Sequence, residues 1–352
     1  MAGMSPSLTR RSFLRASTGA AAWAALSCGP AGPPGPGPGT RLTGYHYDPI
    51  YLEHDPGEGH PERAERLLAI DDRLRAADWY PSLALLAGRS AEVSELELVH
   101  DPRYVGLARA EILAGASRLS TGDTDVSPLS YEVALRAVGG VLAAVDAVVE
   151  GRVKNAFCAL RPPGHHATRD RGMGFCIFNQ VAIAARYAQA RHGIGRVLIA
   201  DWDVHHGNGT QDIFYADGSV FYMSTHQFPF YPGTGSTGET GEGAGAGLTM
   251  NRPFPAGAGD SEVVGAFRDL LPAARRFAPD LTLVSAGFDS RVDDLLGGFR
   301  VTDQGYREMT RIMLEIASAA GEGRLVSVLE GGYNLEGLAS GAFAHVDELI
   351  GA

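Results

Sequence analysis

An uninterrupted apolar run passes into a polar segment at Val197-Leu198-Ile199-Ala200-Asp201-Trp202-Asp203-Val204-His205-His206-Gly207. A second run of the same character, Leu281-Thr282-Leu283-Val284, leads to Ala286-Gly287-Phe288-Asp289. Short strands that are apolar without alternation are buried on both faces, which is typical of a parallel sheet covered by helices on two sides. These two stretches therefore predict an α/β domain with a mostly parallel sheet.

The same criteria predict the remaining elements. The predicted strands are residues 42–47, 83–86, 155–160, 196–200, 219–224, 248–250, 280–285 and 324–329. Amphipathic patterns between them predict helices over residues 61–77, 131–150, 180–192, 261–277 and 303–320. Residues 41–352 contain no second linker and no internal repeat, so we expect one catalytic domain over that range.

Four of the predicted strands end in polar or glycine-rich segments. Those segments are Arg161-Pro162-Pro163-Gly164-His165-His166, Asp201 to Gly209, Ala286-Gly287-Phe288-Asp289 and Glu330-Gly331-Gly332-Tyr333. In an open parallel sheet, ligands bind outside the carboxyl ends of the strands. We therefore expect the four segments to meet at one edge and to form a single site.

The segment after the strand at 196–200 carries metal-ligand chemistry. Asp201, Asp203 and His205 are two residues apart, so an extended backbone turns their side chains to one side. Asp289 is the natural third ligand beside Asp203 and His205. Three protein ligands leave positions for water and substrate, as a catalytic zinc site requires.

Two adjacent imidazoles and a phenol complete the candidate site. His165 and His166 follow a Pro-Pro-Gly turn, and Asp201 and Asn208 are available to orient them. An imidazole held by Asp is fixed in one tautomer and made more basic, whereas Asn orients its imidazole without adding charge. We expect the imidazole held by Asn208 to act as the base. Tyr333, after two glycines, is placed to donate to a developing oxyanion.

The composition excludes several classes of protein. The net charge is −11 with a pI near 5.5, which argues against a nucleic-acid partner. Three cysteines, of which Cys158 and Cys176 read as core thiols, are too few for a disulfide scaffold. No apolar run reaches about 18 residues, so no transmembrane segment is expected. The oligomeric state has no signature in the sequence.

The first forty residues read as a targeting segment rather than as part of the domain. Residues 1–28 place Arg10-Arg11 before an Ala-rich stretch, which resembles a twin-arginine export signal. Cys28 follows Ala25-Leu26-Ser27, which loosely resembles a lipoprotein cleavage box, so it is a candidate for a lipid anchor. Residues 29–40 read as a Pro/Gly linker. The predicted location is therefore periplasmic or lipid-anchored after twin-arginine export.

The chain resembles the zinc-dependent histone deacetylase family from Arg41 to its end. The resemblance rests on the four polar segments above, with Thr210-Gln211 and Asn334, and on Gly174-Phe175-Cys176-Ile177-Phe178-Asn179. Trp202 and Asn208 make it similar to class II members and their bacterial relatives, since class I patterns carry Asp where Asn208 stands. The resemblance implies the arginase-like α/β sandwich of eight mostly parallel strands.

The resemblance also implies a role for each site residue. The implied zinc ligands are Asp203, His205 and Asp289. His166 is implied as the general base, His165 backed by Asp201 as its electrostatic support, and Tyr333 as the group that polarises the acyl carbonyl. Phe175 matches one wall of the family's acyl-lysine channel, and Gly174 lets that wall approach closely.

The remaining implied residues concern potassium and the substrate. One structural potassium site would use main-chain carbonyls near Asp201, Asp203 and His205, with the Ser224 hydroxyl and the Thr225 carbonyl. A second site would use carbonyls near Phe214, Asp217 and Val220. Asp123 is a candidate anchor for substrate backbone amides. Leu296 aligns with a gatekeeper Glu of polyamine deacetylases, and an apolar residue there favours an uncharged acyl-lysine stem.

These observations predict a zinc-dependent amidohydrolase that removes acetyl or related acyl groups from acyl-lysine-type amines. Acetylpolyamines or other small amides remain an open alternative, because export would separate the enzyme from most cytosolic proteins. A catalytically silent binding protein of the same fold is a second alternative, although such a protein usually lacks a ligand or the tyrosine. An arginase-type site with two manganese ions would need more bridging carboxylates than Asp203 and Asp289.

Overall fold

The computed structural model describes residues 42–352. The strands are β1 Thr43–His46, β2 Ala84–Leu85, β3 Asn155–Cys158, β4 Val197–Asp201, β5 Val220–Gln227, β6 Thr249–Phe254, β7 Leu281–Ala286 and β8 Leu325–Leu329. The helices are α1 Glu65–Arg75, α2 Val93–Leu96, α3 Pro102–Leu113, α4 Ser130–Val149, α5 Gln180–His192, α6 Asn208–Phe214, α7 Asp260–Phe277, α8 Asp303–Ala320 and α9 Leu335–Ile350. The single α/β domain predicted from the sequence is confirmed.

All eight strands join one sheet in the order β2-β1-β3-β8-β7-β4-β5-β6. Every neighbouring pair of strands is parallel, so within residues 42–352 the sheet is wholly rather than mostly parallel. Helices α1, α7, α8 and α9 pack side by side as one layer, and α4 packs against α5 in another. The central strands are buried along their whole length, in agreement with their continuous apolar sequence.

The register of the central strands brings their carboxyl ends to a common edge. Asp201 of β4 pairs with Ser285 of β7, and Ser285 pairs with Val328 of β8. Cys158, the last residue of β3, pairs with the same Val328. The polar segments that follow these four strands therefore emerge next to one another, as parallel strands require.

The boundaries of three predicted helices differ from the observed ones, although α7 differs only by beginning one residue earlier, at Asp260. Residues 61–64 precede α1, and within them the side chain of Glu62 is buried among charged groups rather than on a helix surface. Helix α4 begins at Ser130 rather than after it, and the Ser130 hydroxyl accepts from Ser127 N at 2.8 Å and bonds His54 at 2.7 Å. Helix α8 has the predicted bounds, and its cap Thr302 accepts a hydrogen bond from Gly305 N. None of the helices in the described part is long and apolar enough to cross a membrane.

Candidate active site

Three side chains from two strand ends converge on one point. The ligand atoms of Asp203, His205 and Asp289 all lie within 4.8 Å of one another. His205 Nδ1 is 3.0 Å from Asp203 Oδ1 and 3.2 Å from Asp289 Oδ2. Both carboxylates are fully buried. Two buried carboxylates with one partly buried imidazole have the donor chemistry of a divalent metal site.

Backbone amides hold the two carboxylates in place. Val204 N donates to Asp289 Oδ1 at 2.7 Å, and Gly331 N donates to Asp203 Oδ2 at 2.8 Å. Gly331 is required by this close approach, because a Cβ on it would lie 2.1 Å from Asp289 Oδ2. The His205 amide also donates to Asp203 Oδ1, at 2.9 Å, so backbone donors fix both carboxylates beside His205.

The electrostatics of the triad show a demand for positive charge. Burial opposes protonation of His205, but its hydrogen bonds to Asp203 and Asp289 raise its pKa to about 10. Burial and the nearby Asp203 carboxylate raise the pKa of Asp289 to about 7. Two buried carboxylates at this separation need a cation between them. Asp203, His205 and Asp289 are the residues that could hold a metal ion here.

The adjacent imidazoles His165 and His166 have different partners. His165 Nδ1 lies 3.0 Å from Asp201 Oδ2, and His166 Nδ1 lies 2.9 Å from Asn208 Oδ1. Burial lowers the pKa of His165, but the carboxylates of Asp201 and Asp203 outweigh burial and raise it well above 6.5. Burial, together with His165 and His205, lowers the pKa of His166 well below 6.5. One imidazole therefore favours the charged form and its neighbour the neutral form.

Tyr333 faces the same pocket and is held through its backbone. Its amide and that of Asn334 donate to Asp294 Oδ2, at 2.7 and 3.0 Å. The Arg66 guanidinium lies 5.0 Å from the centre of the Tyr333 ring and donates to the Gly332 carbonyl at 2.6 Å. Burial raises the pKa of Tyr333 well above 10, so the phenol is a neutral donor at physiological pH.

The site opens into a pocket of about 480 Å³. Its lining residues are Asp123, His166, Gly174, Phe175, His205, Gln227, Phe230, Tyr231, Leu295, Leu296, Gly297, Gly298 and Tyr333. The structure thus gathers the four residues expected to contact substrate, Asp123, Gly174, Phe175 and Leu296, around the candidate catalytic groups. Within this lining there is no Lys or Arg.

The Gly174–Phe175 wall has an unusual backbone. Gly174 has φ 57° and Phe175 has φ 67°, and the left-handed conformation turns the Phe175 ring toward the pocket. That ring packs edge-on against His60 at 4.6 Å and against Tyr333 at 6.1 Å between ring centres. A Cβ on Gly174 would lie 2.3 Å from the His166 ring, so only glycine fits beside this imidazole.

Sequence reasoning missed the opposite wall of the pocket. The Phe230 ring stacks on His205 with 5.4 Å between centres, and the Tyr231 ring stands edge-on to His166 at 5.2 Å. Both residues lie in the loop after β5. Aromatic residues in a loop are the only sequence signal there, and that signal does not distinguish a pocket wall from core packing.

Two buried charged residues were also missed. Glu330 accepts hydrogen bonds from Gly164 N at 2.7 Å and from the Ser285 hydroxyl at 3.0 Å, and burial raises its pKa to about 7. Its place directly before Gly331, in the polar segment after β8, was a usable signal. Arg66 lies within helix α1, where nothing in the sequence separates it from a surface arginine.

The residues expected to bind potassium lie near the site. Ser224 and Thr225 are in β5, and Ser224 pairs in register with Asp201 of β4. The residues expected at the second site lie at the connection between α6 and β5: Phe214, Asp217 and Val220. Both potassium sites stay predictions.

Comparison with known proteins places the chain among deacetylases. The model of the histone deacetylase domain matches residues 60–349. A rice protein named "Histone deacetylase 10, chloroplastic" is 41% identical over 300 residues, which cover 80% of this chain and 68% of the relative. The human "Polyamine deacetylase HDAC10" is 41% identical over 327 residues, covering 89% of this chain and 48% of the longer relative. The crystal structure of the "HDA15 HD domain" superposes with a TM-score of 0.84 at 38% identity, covering 89% of this chain and 90% of the other.

The relatives contradict the predicted location. The rice relative is named as chloroplastic, and the name of the human relative gives no exported location. The prediction of twin-arginine export to a periplasmic or lipid-anchored location is therefore wrong. Residues 1–28 are rich in Arg and Ser and lack Asp and Glu, a composition that organelle-targeting segments share with export signals. The predicted signal, the lipid anchor at Cys28 and the linker at 29–40 all lie outside the described residues.

Proposed function

Because this chain belongs to the histone deacetylase family, we propose that it is a zinc-dependent amidohydrolase that removes acetyl or related acyl groups from acyl-lysine-type amines. The observation that carries this proposal is the convergence of Asp203, His205 and Asp289 beside His166 and Tyr333 at the base of one pocket. Deacetylases form the family, and each of these five residues has a defined part in hydrolysing an amide.

Asp203, His205 and Asp289 would hold the zinc ion. Their ligand atoms lie within 4.8 Å of one another, and the raised pKa values of His205 and Asp289 reflect the negative charge gathered there. When bound, zinc polarises the acyl carbonyl and lowers the pKa of the attacking water. A three-ligand set that includes an imidazole fits a catalytic zinc site with open positions for water and substrate.

His166 acts as the general base. Its Nδ1–H donates to Asn208 Oδ1 at 2.9 Å, which leaves Nε2 with a free lone pair. The lowered pKa of His166 keeps the imidazole neutral and ready to accept the proton of water. His165, held by Asp201, supplies positive charge beside it and favours the negatively charged transition state.

Tyr333 donates its phenolic hydrogen bond to the oxygen of the tetrahedral intermediate. Its raised pKa keeps the phenol protonated, and Asp294 and Arg66 fix the backbone and ring around it. Donors that are oriented before the reaction need no reorganisation when charge develops. The protonated His166 then delivers its proton to the leaving amine.

The pocket favours an uncharged acyl-lysine stem over a cationic polyamine. Leu295 and Leu296 line one side, and Phe175, Phe230 and Tyr231 supply aromatic walls. An apolar lining stabilises methylene groups and gives a charged secondary amine no partner along these walls. Asp123, at the mouth, is the one carboxylate in the lining. The human relative named as a polyamine deacetylase supports acetylpolyamines as the alternative substrate class.

The deciding experiment compares the two substrate classes on the zinc-loaded protein. We expect a higher kcat/KM for acetyl-lysine peptides than for acetylspermidine. Leu296→Glu should raise activity on acetylspermidine, while Leu295→Glu, at the more exposed neighbour, should raise it less. A wild-type preference for acetylspermidine would establish the alternative class. Absence of turnover on both substrates by fully zinc-loaded protein would indicate the silent binding protein.

A further inference from the structure

Asp123 connects the two walls of the pocket through a single oxygen. Gly174 N donates to Asp123 Oδ1 at 2.7 Å, and the Tyr231 hydroxyl donates to the same oxygen at 3.3 Å. Gly174 belongs to the wall that carries Phe175, and Tyr231 belongs to the aromatic wall after β5. One carboxylate oxygen is therefore fixed from two sides of the pocket.

The other oxygen of Asp123 is free among the described residues. Within the described residues, Oδ2 accepts no hydrogen bond and Asp123 forms no salt bridge. The side chain of Asp123 is exposed at the pocket mouth. Asp125, two residues on, differs because Arg118 pairs with it at 2.6 Å. Asp123 thus presents one oriented, unneutralised acceptor, Oδ2, at the mouth.

Tyr231 is well suited to fix Asp123. Its ring is anchored edge-on against His166, 5.2 Å away, and against His205, 6.2 Å away. Burial, with the nearby Asp123 carboxylate, raises the pKa of Tyr231 above its ordinary value of 10, so the hydroxyl remains a donor throughout the neutral range. The hydroxyl donates to Asp123 Oδ1.

We propose that the Tyr231 hydroxyl is a positioning group that fixes the orientation of Asp123, the residue already expected to anchor substrate backbone amides. This inference rests on the proposed deacetylase function. A carboxylate fixed in advance loses less freedom when the peptide binds. Tyr231 therefore acts on binding, through Asp123, and leaves the chemical step unchanged.

The test compares Tyr231→Phe with the wild type on two substrates. One is an acetyl-lysine peptide, and the other is N-pentylacetamide, which keeps the acyl stem but has no backbone amide. We expect KM for the peptide to rise about threefold to tenfold, the effect of losing one modest hydrogen bond, with kcat little changed. KM for N-pentylacetamide should not change, because the phenyl ring still forms the wall.

Two further variants separate positioning from general damage. In an Asp123→Ala background, Tyr231→Phe should have no additional effect on peptide KM, since the two residues act as one unit. Tyr187→Phe is the matched control, because its hydroxyl also donates to an aspartate, Asp146 at 3.0 Å, but on α5 away from the pocket. That control should leave both substrates unaffected.

Equal changes for both substrates, no change for either, or additive effects with Asp123→Ala would overturn the inference. Peptide binding to the zinc-loaded protein, followed by fluorescence anisotropy, keeps this test separate from the proposed function. If the wild type binds the peptide without turning it over, the deacetylase proposal fails. A weaker Kd for Tyr231→Phe would still support the positioning role, and an unchanged Kd would refute it.

Discussion

Replacing Asn208 with aspartate should raise the pKa of His166, the neutral imidazole of the pair. In the wild type, His166 Nδ1 donates to the Asn208 amide oxygen at 2.9 Å, and the pKa of His166 is lowered by burial and by its imidazole neighbours. The adjacent pair provides the reference, because His165 makes the same contact at 3.0 Å with the Asp201 carboxylate and its pKa is raised. Asn208→Asp changes the partner's charge and barely its shape.

The size of the effect follows from that added charge. A carboxylate in direct contact with an imidazole raises the imidazole pKa by about 1–3. A base works only when it is unprotonated, so the acidic limb of the profile of kcat/KM against pH should move upward by the same amount. At a pH below both the wild-type and the new apparent pKa, kcat/KM should fall about tenfold if the pKa rises by about 1, and about a hundredfold if it rises by about 2. On the alkaline side, activity should approach the wild-type value.

The assay is a profile of kcat/KM from about pH 5 to about pH 10 for the zinc-loaded wild type and Asn208→Asp on one acetyl-lysine peptide. Zinc content and the circular dichroism spectrum of both proteins serve as controls for the fold and the metal site. An acidic limb that does not move would show that His166 is not the group whose ionisation limits the rate. A uniform loss of activity at every pH would show that Asn208 acts by geometry alone.

Three other outcomes are expected. Tyr333→Phe should retain zinc while kcat falls by roughly a hundredfold or more, the scale for losing one oxyanion donor, and unchanged turnover would remove the phenol from the mechanism. Asp289→Ala and His205→Ala should lose stoichiometric zinc in metal analysis, whereas Asp293→Ala, in the same loop and outside the triad, should keep it. Burial lowers the pKa of His345 to about 3, so the unfolded chain binds more protons below pH 6.5 and stability is lost as the pH falls from about 6.5 toward 3. The free energy of unfolding should be measured by denaturant titration at about pH 7 and about pH 5. Between these pH values, His345→Leu should lose about 2 kcal/mol less of it than the wild type does. Equal losses in the two proteins would contradict a neutral buried imidazole.

The sheet was predictable because its strands have a local signature. All eight observed strands overlap the predicted ones, since buried parallel strands are short apolar runs ended by polar or glycine-rich segments. Helix α9 was missing from the predicted helices, although it packs against α1 and α8. Its sequence mixes three glycines or serines with the buried His345, and the usual polar face is weak. Packing rather than pattern stabilises that helix.

Some residues of the pocket were predictable from the sequence, and others were not. Asp203 and His205 lie two residues apart in the bend directly after β4, and Asp289 meets them because parallel strand ends converge. The contacts of Phe230 and Tyr231 with the pocket could be identified only in the structure, because residues in a loop show no hydrophobic periodicity from which to predict their position. The mistaken location has a different cause: a targeting signal is read by a receptor outside the chain, so no contact within the chain constrains its interpretation.

The different hydrogen-bond partners of His165 and His166 explain how two adjacent histidines can take different roles, one charged and one acting as the base. The rings of His165 and His166 lie 4.0 Å apart between centres, so two positive charges there would repel each other strongly. Asp201 stabilises the charge on His165, and the neutral Asn208 leaves His166 as the imidazole that gives up its proton first. Environments that push neighbouring pKa values apart are what separates an acid from a base in an active site. Asp201 and Asn208 can be identified in the sequence. The fold places each of them within hydrogen-bond distance of its imidazole, and this contact is what makes the two pKa values differ.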